Sequence, residues 1–193
     1  MRILIIGNFR TGSWHLHDAL VKQHGLHSLG ELFQGFRSQG PDADSRLSTF
    51  TDNTITKLHP YQVNNIDICL QLCELADTII YTHRKNTLDQ VVSYAVASQP
   101  CIDNYFEHGI IDLTDITPWK EDRNPATKEP TPEWLDDVFT KLSYNDKIIA
   151  ELYKQYPGEV VIQEDIKPYN PYPHKYIYTG KWKLPYSFKV LGV

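Results

Sequence analysis

The sequence has no long apolar segment, few cysteines and no excess of positive charge, and each absence excludes a class of protein. None of its apolar runs approaches the roughly 20 residues that a membrane-spanning helix needs. Cys69, Cys73 and Cys101 are odd in number and match no zinc-binding spacing, so we expect reduced thiols and no metal. The net charge of −5 argues against nucleic acid or an anionic membrane as a partner, since both need a basic surface.

What remains is the composition of an ordinary globular protein. The chain has 193 residues, of which 41% are hydrophobic and 22% are charged, and this is enough for one domain over 1–193 to bury a core. The apolar run in MRILIIGN is too short for a signal-peptide core and is followed by glycine and arginine instead of a cleavage site. We therefore interpret it as a buried strand and expect a cytoplasmic protein.

Short apolar runs alternate with segments of helical spacing along the chain. Strands are predicted at 2–6, 54–59, 78–82 and 160–163, and helices after the first strand, at 62–75, near 88–96 and from Pro132 through Leu152. Residues 25–40 are predicted to be mostly loop, 112–132 a mobile exposed loop and 179–193 a basic tail. This alternation predicts the α/β class, as a three-layer αβα domain with a mainly parallel sheet of about four to five strands. Such sheets bind ligands at the carboxyl ends of their strands.

The first motif lies between the first strand and the first helix. Gly7 to Ser13 reads GNFRTGS, which has the GxxxxG spacing of a phosphate loop, so the fold is predicted to be P-loop nucleotide-binding-like. Backbone amides and the helix dipole stabilise an anion there, and Arg10 and Ser13 add side-chain donors. Ser13 stands where nucleoside triphosphatases have lysine, and Trp14 stands where they have the Mg²⁺-binding hydroxyl. A magnesium-dependent kinase is therefore disfavoured.

The string Arg10-Thr11-Gly12-Ser13 resembles the 5′-phosphosulfate loop of sulfotransferases. The resemblance implies a small, divergent member that uses 3′-phosphoadenosine 5′-phosphosulfate (PAPS) and releases adenosine 3′,5′-bisphosphate. In this interpretation Arg10, Thr11, Gly12, Ser13 and Trp14 bind the cofactor. Residues 160–166 resemble a later strand of the same family and are interpreted as scaffold support.

Two further segments resemble the family's 3′-phosphate site. Arg84 ends the third predicted strand, and Ser93 lies on the following helix, as do the phosphate-binding arginine and serine of sulfotransferases. Lys85 is the alternative to Arg84, because the family varies between the two spacings. Lys181 lies in Gly-Lys-Trp-Lys, which resembles a late family segment that reaches the nucleotide, but the family's preceding Arg-Lys pair is absent. A merely solvated tail is thus the alternative for Lys181.

The catalytic candidates come from two more segments. Lys57-Leu58-His59-Pro60 resembles the family's Lys-Thr-His-Leu-Pro segment, in which the histidine is the general base and the lysine contacts the transferring group. Alternate residues of a strand share a face, so Lys57 and His59 should point in one direction. Glu31, in Gly-Glu-Leu-Phe, resembles the base of the bacterial trehalose sulfotransferase branch. The base is therefore predicted to be His59 or Glu31, or both acting together, with positive charge supplied by Lys57 and Arg10.

The predicted reaction is in-line transfer of a sulfuryl group to a hydroxyl or amine of a small-molecule or carbohydrate acceptor. Two rival hypotheses stay open. A non-catalytic protein of the same fold would bind adenosine 3′,5′-bisphosphate and transfer nothing. A P-loop kinase would require Mg²⁺ with a nucleoside di- or triphosphate.

Overall fold

Strands and helices alternate along the part of the chain that the computed structural model describes, namely residues 1–34, 43–63, 65–85, 90, 94 and 132–165. The strands are β1 (Arg2–Gly7), β2 (His27–Glu31), β3 (Thr54–Leu58), β4 (Thr78–His83) and β5 (Glu159–Ile162). The helices are α1 (Ser13–His24), α2 (Ala43–Ser48), α3 (Pro60–Val63), α4 (Ile66–Leu75) and α5 (Pro132–Gln155), and a 3₁₀ turn (Gln163–Asp165) follows β5.

The strands form one five-stranded sheet in the order β2-β3-β1-β4-β5. All four neighbouring pairs are parallel, which confirms the predicted α/β class and its mainly parallel sheet. Strand β1 lies at the centre, with Ile5 opposite Lys57 on one side and Gly7 opposite Thr82 on the other. A central parallel strand is buried on both faces, which explains why β1 is an almost unbroken apolar run.

Helices cover both faces of this sheet. Ile3 and Ile5 of β1 lie in an apolar cluster against which Leu16 and Leu20 of α1 pack. The alternate β1 residues Leu4 and Ile6 pack on the opposite face in a cluster that includes residues of α4 and α5, among them Leu72 and Leu152. The helices that follow β1 and β3 therefore lie on opposite faces, and between two such strands the carboxyl edge of a sheet opens into a crevice.

The prediction of mostly loop over 25–40 is wrong for His27–Glu31, which forms the edge strand β2. This segment lacks the apolar run of a buried strand, and its strand conformation comes from pairing with β3, a tertiary contact that local propensity does not report. The pairing contains a β-bulge. Ser28 lies opposite Ile55 and Glu31 opposite Lys57, so three steps along β2 match two along β3.

The predicted helix over 62–75 is divided into α3 and α4. Helix α4 has its own start signal, since the side chain of Asn65 accepts a hydrogen bond of 2.8 Å from the Asp67 backbone N–H. The predicted helix from Pro132 through Leu152 is confirmed as α5, whereas α2 was not predicted.

Several sequence predictions fall largely outside the described residues. Of the predicted helix near 88–96 only Gln90 and Tyr94 are described, and of the loop over 112–132 only Pro132, which begins α5. The basic tail at 179–193 lies wholly outside the described part. Among the helices that are described, none has the combination of length and apolar content that crossing a bilayer requires.

Candidate functional site

The loop between β1 and α1 contains two residues with positive φ and ends at the start of a helix. Gly12 is the N-cap residue of α1, with φ 77°, and Arg10 also has a positive φ of 64°. Within the described residues no side chain caps this helix, and its first turn contains no acidic residue. The first backbone N–H groups of a helix have no partner inside the helix, so they can donate to a bound anion.

Close packing against β4 fixes where this loop begins. A Cβ atom on Gly7 would lie 2.0 Å from Oγ1 of Thr82, so no side chain fits at this position. Thr11, which is buried, donates from its hydroxyl to the Asn8 carbonyl at 2.8 Å, and the hydroxyls of Thr11 and Thr82 are 2.7 Å apart. Ser13, the first residue of α1, is also buried.

A buried pair of asparagines ties the loop to α5. Nδ2 of Asn8 donates to the Leu142 carbonyl at 3.0 Å and to Oδ1 of Asp146 at 2.8 Å. Nδ2 of Asn145 donates to Oδ1 of Asn8 at 3.0 Å, while Oδ1 of Asn145 accepts the Tyr61 backbone N–H at 2.7 Å. The segments that follow β1 and β3 are thus held at a fixed distance by one fully buried side chain, that of Asn145.

Sequence reasoning missed Asn145, although a signal was present. Val138, Leu142 and Leu152 of α5 are buried, and Ile149 packs against the core, so the apolar stripe of the helix passes through position 145. A polar residue within such a stripe must find hydrogen-bond partners in the core. An asparagine at this position indicates a buried polar contact.

A cluster of charged side chains lies beside the loop, at the carboxyl ends of β2 and β3. Nζ of Lys57 is 2.9 Å from Oε1 of Glu31, and Nε2 of His59 is 3.5 Å from the same oxygen. Gln62 donates from Nε2 to Oε2 of Glu31 at 2.7 Å. The side chain of Lys57 is 0% exposed and that of Glu31 10%. The structure therefore brings Lys57, His59 and Glu31 together, with Gln62 as a fourth member that the sequence did not predict.

The charges of this cluster act strongly on one another. Burial lowers the pKa of Lys57 to about 8, and the Glu31 carboxylate opposes that shift. Burial alone would raise the pKa of Glu31, but its interactions with His59 and Lys57 outweigh burial and hold that pKa well below its ordinary value. Nζ of Lys57 also lies 3.1 Å from the ring centroid of Trp14, a cation–π contact with a side chain that is itself 48% exposed.

His59 joins the cluster to the loop. Its Nδ1 lies 2.7 Å from the Gly7 carbonyl, which can only accept a hydrogen bond, so Nδ1 carries a proton. In the neutral ring Nε2 therefore holds the lone pair, and this atom faces Glu31. The histidine is oriented by a backbone group of the loop and by a carboxylate at the sheet edge.

Arg84 and Lys85 have different surroundings. Nη1 of Arg84 donates to the Arg10 carbonyl at 3.3 Å, which places its guanidinium against the loop. Nζ of Lys85 is exposed and lies 3.4 Å from Oδ2 of Asp165. The predicted cofactor residues Ser93 and Lys181 lie outside the described part of the chain.

Cysteines and metal ligands form no separate centre in the described ranges. Cys69 and Cys73 are free, and burial raises the pKa of each thiol to about 12, which makes them poor nucleophiles. Nowhere in those ranges do three His, Cys, Asp or Glu side chains lie close enough together to hold a metal ion. In comparisons with known proteins, no family model matches this chain and no curated protein matches it.

Proposed function

We propose that this chain is a sulfotransferase of P-loop-like fold that transfers the sulfuryl group of PAPS to a hydroxyl or amine of a small-molecule or carbohydrate acceptor. One observation carries the proposal. The start of α1 in the glycine loop, which no side chain of the described residues caps, is suited to an anion. The hydrogen bond between His59 and Gly7 joins it to a cluster of base, carboxylate and cation. These groups also follow the order of the family segments that the sequence resembles.

The donor nucleotide would lie along the carboxyl edge of the sheet. The amides of the loop, with Arg10 and Ser13, would hold the 5′-phosphosulfate, because a helix start stabilises a tetrahedral anion. Arg84 would bind the 3′-phosphate, and its contact with the Arg10 carbonyl supports this choice over Lys85, which pairs with Asp165. Ser93 and Lys181 stay predictions for the same pocket.

The transfer step requires one proton acceptor. The acceptor oxygen attacks sulfur, the bond between sulfur and the 5′-phosphate oxygen breaks, and its electron pair leaves with adenosine 3′,5′-bisphosphate. The proton of the attacking hydroxyl passes to Nε2 of His59, which holds a lone pair because Nδ1 is committed to Gly7. Glu31, at 3.5 Å, stabilises the imidazolium that forms. The lowered pKa of Glu31 makes this carboxylate a poor base.

The two cations have different parts in this scheme. The side chain of Lys57 is fully buried and contacts Glu31 and Trp14. Lys57 therefore holds the Glu31 carboxylate in place and acts on the reaction only through that carboxylate. Arg10 belongs to the loop itself and is the cation assigned to the departing oxygen. No step of the scheme requires a bound metal.

The first test measures nucleotide binding, before any assay of sulfuryl transfer. We expect adenosine 3′,5′-bisphosphate to raise the melting temperature of the protein by mass action, and ADP with Mg²⁺ not to do so. Arg84→Ala should weaken bisphosphate binding by about 1.5 to 3 kcal/mol, or roughly 10- to 150-fold. The matched control Lys85→Ala should change it less than about 3-fold, since its exposed ion pair contributes little. Stabilisation by Mg·ADP alone would refute the proposal in favour of the kinase.

A non-catalytic nucleotide-binding protein is the second candidate, and the burial of Lys57 and Glu31 favours it, because a closed ion pair also serves as a purely structural contact. Turnover with a panel of sugars and alcohols separates the two candidates. In the enzyme, His59→Ala loses transfer and retains bisphosphate binding. In the binding protein, wild type already transfers nothing.

A further inference from the structure

Gln163 covers Gly12, the N-cap residue of α1. It is the first residue of the 3₁₀ turn after β5, and its carboxamide packs directly on Gly12. A Cβ atom on Gly12 would lie 2.9 Å from Cδ of Gln163 and 3.2 Å from its Nε2. The end of β5 therefore contributes a polar side chain to the same loop that β1 and α1 form.

One atom of this carboxamide has no partner. Oε1 of Gln163 is buried, and among the residues that the structure describes it accepts no hydrogen bond. Buried carbonyl oxygens in proteins are almost always paired, because leaving one unpaired loses its hydration without compensation. An apolar side chain of the same size would avoid this loss, so the glutamine requires an explanation beyond packing.

We propose that Gln163 is a ligand-contacting residue whose Oε1 accepts a hydrogen bond from the nucleoside half of the bound nucleotide. This inference rests on the proposed function. An anion in the loop is itself an acceptor and cannot pair with Oε1, whereas Nε2, on the Gly12 side, can donate to it. The nucleoside half of PAPS offers two donors, the ribose 2′-hydroxyl and the adenine amine. Gln163 thus distinguishes a nucleotide from a bare phosphate or sulfate.

The test replaces the glutamine with an apolar side chain of nearly the same shape. In Gln163→Met the melting temperature of the ligand-free protein should rise by about 2 to 6 °C, because the unpaired oxygen is gone. Affinity for adenosine 3′,5′-bisphosphate should fall about 5- to 50-fold. Affinity for pyrophosphate, which has no nucleoside, should change less than about 2-fold. Gln71→Met, on the exposed side of α4, is the matched control and should alter none of these.

Two analogues identify the donor. The 2′-deoxy bisphosphate lacks the hydroxyl, and the inosine bisphosphate lacks the amine. Wild type should bind one of them more weakly than the parent nucleotide, and Gln163→Met should no longer distinguish that analogue from the parent.

The outcomes that overturn the inference are distinct. A lower melting temperature with unchanged bisphosphate affinity would make Gln163 a structural residue that an internal water satisfies. An equal loss of pyrophosphate affinity would mean that it acts only through the shape of the loop. Failure of the proposed function looks different, since wild type would then bind none of these nucleotides, and the inference would fall with it.

Discussion

The ion pair between Lys57 and Glu31 gives the sharpest stability prediction. Replacing Glu31 with leucine removes the carboxylate that pairs with the Lys57 ammonium, whose side chain is 0% exposed. Breaking a buried pair from one side costs about 3 to 5 kcal/mol, because the remaining charge stays buried without compensation. Lys57→Met should cost less, about 1 to 3 kcal/mol, since Glu31 keeps its contacts with Gln62 and His59.

The double variant decides whether the two charges interact. With both charges removed, neither position holds a buried charge that lacks its partner, so we expect the double variant to lose less than the sum of the two singles by about 2 kcal/mol or more. Thermal or urea unfolding at pH 7 measures this coupling. For a chain of this length Glu31→Leu should lower the melting temperature by about 6 to 20 °C.

An exposed pair of the same residue types serves as the control. Nζ of Lys154 lies 3.3 Å from Oε2 of Glu151, but the two side chains are 73% and 46% exposed. The same cycle of substitutions there should give a coupling below about 0.5 kcal/mol. If the losses at Glu31 and Lys57 simply add, or if the exposed pair couples as strongly as the buried one, burial does not strengthen the interaction between these two charges.

Two further predictions concern the same end of the sheet. The folded protein holds the pKa of Glu31 below its ordinary 4.5, so the unfolded chain takes up that proton first. The free energy of unfolding should therefore fall as the pH drops through about 4.5. Urea unfolding from pH 3 to 7 should show that this free energy depends less steeply on pH in Glu31→Gln than in wild type. The same pH dependence in both proteins would contradict the prediction. Gly7→Ala should destabilise the protein by about 1 to 3 kcal/mol, because its Cβ would lie 2.0 Å from the Thr82 hydroxyl oxygen. Adding Thr82→Ala should recover only part of this loss, because the carbonyl oxygen of residue 82 would still lie 3.1 Å from the new methyl group. If the melting temperature of Gly7→Ala lay within about 1 °C of wild type, the loop would have moved to make room for the methyl group.

Much of the sheet could be predicted from the sequence because a strand that is buried on both faces consists largely of apolar residues. β1 and β3 are short runs of apolar or β-branched residues, and β4 and β5 contain similar runs. β2 has no such apolar run. It is an edge strand whose residues are partly exposed, and its contacts come from a partner more than 20 residues away in the chain.

The site was predictable where a residue type carries its own chemistry. Lys57, His59 and Glu31 were identified because their segments resemble family segments in which a cation, a base and a carboxylate have catalytic roles. Gln62 and Gln163 were missed, since a glutamine acquires a role only from what lies beside it in the folded chain. No local pattern contains that information.

Because β2 contains a β-bulge, the site depends on how many residues separate Ser28 from Glu31 as well as on which residues they are. Side chains along a strand alternate between its two faces, and the extra residue between Ser28 and Glu31 places both on the face that Ile55 and Lys57 share. A regular strand with the same three steps from Ser28 to Glu31 would keep every charged group of the cluster in the chain, yet it would turn Glu31 to the far side of the sheet. Two chains with the same Glu, Lys and His can therefore differ completely at this edge. Whether the strand bulges between Ser28 and Glu31 decides which of the two has a site.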